Sequence, residues 1–188
     1  MNSNRRNFLL GASAFVSTAA MGMGFKYFDS QVGANEFVVN GNTGLGKRGL
    51  AKGLLYGAAS DRKHLSSNPM LAKSFAEECS ILVSEDDLKW APLRPTPNTF
   101  DFSQGDWLLQ FAQSHNMQFR GHVLVWHQRM PTWFKEVVNR QNAEKFLLDH
   151  IAKVAGHYAG KLHSWDVVNE AIRPGDGRAD GLRTNTPW

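Results

Sequence analysis

The chain has a single cysteine, Cys79, so it builds no internal disulfide. Its neighbours Phe75, Ile81 and Leu82 mark it as a packed thiol rather than a nucleophile. A run of basic residues is equally absent. The formal charge of +4 is spread over 188 residues, and three of the basic side chains, Arg5, Arg6 and Lys26, fall in the first 34. With the one acid there, Asp29, set aside, 18 basic and 16 acidic residues remain, which excludes the concentrated positive surface of a nucleic-acid-binding protein. A metal-ligand set is lacking too. His122 and His127 have no clear third ligand, so neither a metal nor another cofactor is expected. What is present, 42% apolar and 20% charged residues, suits one globular domain with a sizeable core.

Organisation begins at the N-terminus. Residues 4–25 open with Arg5 and Arg6 and continue as an uncharged run from Phe8 to Phe25, interspersed with Gly, Ser and Thr. A positive start followed by a weakly apolar stretch reads as a twin-arginine export signal over residues 1–34, with Ala20 and Ala34 as candidate ends. A retained anchor is the competing reading, but the small and hydroxyl residues favour a removable signal and no stable membrane insertion afterwards. The protein is therefore expected in the periplasm or outside the cell. Residues 35–53, rich in Gly and Asn, read as a flexible segment, with the domain proper over 54–188.

From Leu54 onward apolar strands alternate with amphipathic stretches. Strands are expected at Leu54–Ala59, Ile81–Ser84, Phe119–Trp126 and Leu162–Asn169. Helices are expected at Asn68–Cys79, where Pro69 suits a first turn, at Gly105–Asn116, and from Asn142 to Gly160. Strand and helix in alternation imply a parallel sheet with helices outside it. Closing such a sheet into an eight-stranded barrel takes about 250 residues, so the expectation is an α/β fold, the N-terminal half of a (β/α)8 TIM barrel with about four βα units, truncated before closure. A small open α/β domain complete in itself is the alternative.

In that architecture the chemistry sits at the C-terminal ends of the strands. The fourth strand ends in WDVVNEA, which delivers Asn169 and Glu170 after the apolar Val167 and Val168. Adjacent residues of an extended strand point to opposite sides, so for both to face one ligand the strand must give way here. Asp166 lies inside the run and needs a partner such as Arg120 or His122, or else orients catalytic groups. His122 and Trp126, four apart on the third strand, share a face, whereas His127 points away unless the strand end turns it inward. Each has a plain alternative: Glu170 as a solvated loop residue, Asn169 as a turn cap, His122 and Trp126 as core, and Glu85, Asp86 and Asp87 as a solvated acidic loop.

Three segments in order, SEDDLKW (84–90), RGHVLVWH (120–127) and WDVVNEA (165–171), resemble signatures of glycoside hydrolase family 10, whose members are mainly endo-1,4-β-xylanases. The resemblance runs from about Leu54 to Trp188 and implies a retaining glycosidase acting on xylan without a metal. Glu170 matches the general acid/base, and Asn169 a residue binding the sugar 2-hydroxyl. His122 and Trp126 match the subsite beside the scissile bond, and Glu85, Asp86 and Lys89 the next sugar along. Asp166 and His127 match supporting positions behind the reacting groups. The implied nucleophile is a glutamate on a seventh strand, which this sequence does not reach. Position 86 departs from the pattern: the family usually has asparagine, and Asp86 lacks its amide donor. A related β-glycanase, or an inactive carbohydrate-binding fragment, are the competing functions.

Overall fold

The computed structural model describes residues 43–188, so the export-signal expectation and the first part of the 35–53 segment lie outside the described residues. Where that segment is described, the expectation of a flexible lead-in is corrected. Leu45–Leu50 form a helix, α1. Gly44 brings no side chain to cap it, and Glu78 takes that place, its carboxylate accepting the Leu45 N–H at 2.7 Å. A carboxylate there satisfies an orphan donor and complements the helix dipole. The partner is 33 residues away, beyond the reach of local composition.

Four strands follow, β1 (Gly57–Ser60), β2 (Ile81–Ser84), β3 (Gln118–Val125) and β4 (Ser164–Val168), all parallel and in that spatial order. Between β1 and β2 lie α2 (Arg62–Ser67) and α3 (Pro69–Glu78), between β2 and β3 α4 (Trp90–Leu93) and α5 (Ser103–Ser114). Between β3 and β4 lie α6 (Phe134–Val137) and α7 (Ala143–His157). This is the open parallel sheet of a partial α/β barrel. Capping sets the helix starts: Asp61 accepts the His64 N–H at 2.8 Å at the head of α2, and Asn68 the Leu71 N–H at 3.1 Å at the head of α3, with Pro69 next. Among the described residues no helix is long and apolar enough to cross a membrane.

The core joins sheet residues Leu82, Phe119 and Leu124 to Leu65, Phe75, Leu108, Ala112 and Val154 of the helices, each at most 7% exposed. A second cluster holds Trp90, Trp133 and Phe134. Sequence alone leaves Trp90 and Trp133 open between cleft wall and core. Both are core, their indole N–H groups donating to the carbonyls of Leu124 (2.8 Å) and Arg94 (2.9 Å). The first strand is later and less buried than expected, with Leu54, Leu55 and Tyr56 exposed ahead of it. It is an edge, paired only with β2 among the described residues.

Alternation along β3 separates two chemistries. Phe119 and Gly121 are buried, and a Cβ on Gly121 would come within 2.3 Å of the Trp165 ring, so only glycine lets that indole lie against β3. Arg120 and His122 face the other way. With Trp165 committed to Gly121, the next residue of β4, Asp166, is carried to the polar face in register with His122. The His122–Val123 peptide is cis, and the β3–β4 register shifts between His122 and Val125.

Candidate active site

The polar face is built around Asp166. Arg120 Nε donates to its Oδ1 at 3.1 Å, Arg120 Nη2 pairs with the same oxygen, and His122 Nδ1 meets Oδ2 at 3.1 Å. Both partners foreseen for Asp166 are thus engaged at once. A carboxylate only accepts, so Nδ1 of His122 carries the hydrogen and Nε2 is left toward the open side. Hydrogen bonds from Arg120, then from His122, hold the Asp166 carboxyl below the usual range against the opposing pull of burial. Asp166 therefore stays ionised and fixes the tilt of the imidazole.

Beyond β4 the chain leaves extended geometry. The Asn169 N–H still donates to the Val125 carbonyl at 2.9 Å, but Glu170 has φ 54°, in the left-handed region. Asn169 and Glu170 are thus freed from opposite-face placement, as the sequence requires. Glu170 is held by its backbone: Arg183 Nε donates to its carbonyl at 2.9 Å, and the Arg183 N–H to the Ala171 carbonyl at 2.8 Å. Its carboxylate is attended only loosely, with Oε2 3.7 Å from both His127 Nε2 and Arg183 Nη2, and it is nearly half exposed. Arg183 was not foreseen. It reaches Glu170 because an Ile172–Leu182 bridge folds the loop back, and no local pattern signals that pairing.

The structure moves His127 off the strand, because β3 ends at Val125. Its ring is turned to Glu170, with a buried Nδ1 that has no hydrogen-bond partner. Trp126 keeps company with His122 at a ring separation of 6.4 Å, and Lys89 Nζ lies 4.8 Å over its indole. Lys89 in turn stands 3.7 Å from Asp86. Asp86 is clamped by Arg129, Nε to Oδ1 at 2.7 Å and Nη2 to Oδ2. Glu85 is exposed at the end of β2, its N–H held by the Ser60 carbonyl at 2.9 Å. With Asp61 and His64 it forms a trio whose ligand atoms lie within 4.8 Å of one another. Asp61 is already committed to capping α2.

A cavity of about 170 Å³ collects Trp126, His127, Asn169, Glu170 and Arg183. A larger hollow of about 1060 Å³ opens beside it, sharing His127, Thr186 and Trp188 but not lined by Glu170. The smaller one carries the chemistry, since an exposed carboxyl beside an amide, a tryptophan and an imidazole can move a proton and hold a hydroxylated ring. Glu170, Asn169, Trp126 and His127 are thus brought together, Asp166 and His122 support them from the strands, and Asp86 and Lys89 join through Trp126.

Residues 45–188 match the sequence profile of glycosyl hydrolase family 10. Among curated relatives, endo-1,4-beta-xylanase 2 of Claviceps purpurea is 34% identical over 117 residues, covering 62% of this chain and 36% of that protein. A beta-1,4-xylanase of Dictyoglomus thermophilum is 39% identical over 107 residues, covering 57% and 29%. The chain therefore spans about a third of the length of these relatives. Of solved structures, xylanase 10B from Thermotoga petrophila, crystallised with xylobiose, superposes at TM-score 0.71 with 28% identity, covering 79% of this chain and 45% of that one. Xylanase B from Clostridium stercorarium superposes at 0.64 with 32% identity, covering 77% and 46%.

Proposed function

The chain belongs to glycosyl hydrolase family 10, and from that premise we propose that the protein is a retaining endo-1,4-β-xylanase in which Glu170 is the general acid/base. The observation that carries the reading is the position of Glu170: just past β4, out of extended geometry at φ 54°, with its carboxyl open to solvent beside Asn169, Trp126 and His127. Cleaving a β-glycosidic bond requires a proton for the departing oxygen and, for retention, a second carboxyl about 5–5.5 Å away that attacks the anomeric carbon. Glu170 supplies the first. No carboxylate of the described residues is assigned to the second role.

The other roles are those that the family resemblance implies, and the same geometry supports them. Asn169 offers its amide to the sugar 2-hydroxyl, a bond that strengthens as charge develops at the anomeric carbon. Trp126 is the apolar platform for a sugar face, and His122, its Nδ1 occupied by Asp166, accepts a hydroxyl at Nε2. His127 and Asp166 orient Glu170 and His122 respectively. Lys89 and Glu85 address the next sugar. We assign residues 54–188, extended back to α1, to the barrel domain, and residues 1–34 to export, so that the substrate, a neutral β-1,4-linked polysaccharide, would be met outside the cytoplasm.

The full-length protein is expected to release reducing sugar from xylan at least tenfold faster than from cellulose. Activity confined to cellulose overturns the assignment of substrate, and activity on neither overturns the enzyme. Export is checked by fractionating cells that carry the native gene and an Arg5→Lys, Arg6→Lys variant. Unchanged delivery of the variant beyond the inner membrane removes the twin-arginine reading.

A further inference from the structure

At φ 54° Glu170 stands in the left-handed region of backbone space, a strained position for a residue with a side chain. Such a conformation persists only where its surroundings hold it, and Arg183 supplies the hold. Its Nε donates to the Glu170 carbonyl at 2.9 Å, and its own N–H donates to the Ala171 carbonyl at 2.8 Å. One residue thus grips two successive carbonyls. The loop behind that grip is tied to itself: the Arg173 N–H donates to the Gly181 carbonyl at 2.7 Å beside the Ile172–Leu182 bridge. Asp176 accepts the Thr184 N–H at 2.8 Å and pairs with Arg173 at 3.1 Å, while Asp180 accepts the Leu182 N–H at 3.0 Å. Those acids are spent on closing the loop. Arg183 is turned inward from it, its side chain only 13% exposed.

The Glu170 carboxyl is held on one side. Arg183 Nη2 and His127 Nε2 both stand 3.7 Å from Oε2, and among the described residues no hydrogen bond or ion pair reaches Oε1. Resting on the assignment of Glu170 as the general acid/base, we propose that Arg183 is its positioning residue. Arg183 fixes the peptide that carries the acid and, with His127, keeps Oε2 to its own side, so that Oε1 is the oxygen presented to the departing sugar. The 171–183 loop is then the device that returns Arg183 to the end of β4.

The test measures kcat/KM of the full-length protein on xylan and on aryl β-xylobiosides of graded leaving-group acidity, because a residue that acts through the acid matters only where protonation does. Arg183→Ala is expected to lose about thirtyfold on xylan, a part of what the acid itself contributes, and to stay within about threefold of wild type on the aryl substrate with the best leaving group. Added to Glu170→Ala, the same change should cost nothing further, since the group it acts through is already gone. Should the alanine variant not fold, Arg183→Gln, closer in size, carries the same comparison. A loss equal across all leaving groups marks a merely structural role and overturns the proposal. So does no loss on xylan, or a loss that adds in full to that of Glu170→Ala. If Glu170→Ala itself turns xylan over at the wild-type rate, the acid assignment falls and takes the proposal with it, whereas a normal Glu170 effect beside a uniform Arg183 loss sinks the proposal alone.

Discussion

The two sides of the sheet treat their ionisable groups in opposite ways. On the helix-packed side, His150 of α7 is fully buried, stacked on Trp90 at 3.7 Å, with neither ring nitrogen hydrogen-bonded. Burial, helped by the nearby Arg94 cation, lowers its pKa to about 3, so it is an uncharged ring that fills space. On the polar side, Asp166 is ionised between Arg120 and His122, and Glu170 is left half in solvent. The same residue types do different work because one side excludes water and the other keeps it. Stability is stored in the first layer and reactivity displayed on the second.

The sharpest way to break this contrast is at Glu170. In the full-length protein Glu170→Ala should cost about 10²–10⁴-fold in kcat on xylan, the usual contribution of a general acid. Aryl xylosides with good leaving groups need little protonation and should lose far less. Thermal stability should stay near wild type, because the half-exposed carboxylate has only two ion pairs, each at 3.7 Å, for its removal to strand. Unchanged turnover of xylan would take the proton-donor role away from Glu170.

Next in size is Asp166→Asn. It removes the anion that pairs with Arg120 and sets the His122 tautomer, and about a tenfold loss of kcat/KM is expected from a misaligned imidazole. The change also carries a pH signature. The Asp166 carboxyl is depressed in the folded protein, mainly by Arg120, so its contribution to stability is present above the unfolded pKa, near 3.9, and is lost as the pH falls through the folded value. The stability gap between wild type and variant should therefore be full at neutral pH and close on acidification below about pH 4. Denaturant melts at several pH values read this directly, and a gap that widens with acid would contradict the ion-pair assignment.

How legible each side is from sequence differs as much as their chemistry. The strand and helix alternation and the parallel sheet are readable because hydrophobic periodicity and strand alternation are local, whereas the roles of Glu170, Asn169, His122 and Trp126 rest on the resemblance of three short motifs. The need of Asp166 for a partner is readable too, since a charge inside an apolar run has few ways to be tolerated. Contacts that depend on chain reversals were hidden. Arg183 reaches Glu170 only through the folded 171–183 loop, Arg129 reaches Asp86 from another strand's exit, and Glu78 caps a helix 33 residues upstream. His127 follows the exception to strict alternation, the inward turn at a strand end, because β3 ends two residues before it. The roles of Trp90 and Trp133 stayed open because an indole suits core and sugar platform equally, and only burial separates them.

The smallest effect at neutral pH tests the buried side. His150→Phe keeps an aromatic ring of similar size against Trp90 and removes two nitrogens that have no hydrogen-bond partners. In the native protein His150 binds no proton until about pH 3, whereas in the unfolded chain it binds one below about 6.5. Between those values the unfolded state holds more protons, so the wild type loses stability as the pH falls through 6.5 toward 3, and the variant is spared that loss. The stability of His150→Phe relative to wild type should be nearly flat above pH 7.5 and rise to roughly 1.4 kcal/mol by pH 5.5, one unit below the unfolded pKa. Parallel curves across this range would mean that His150 takes up its proton while folded, and the layer behind the sheet would then not be as dry as its packing implies.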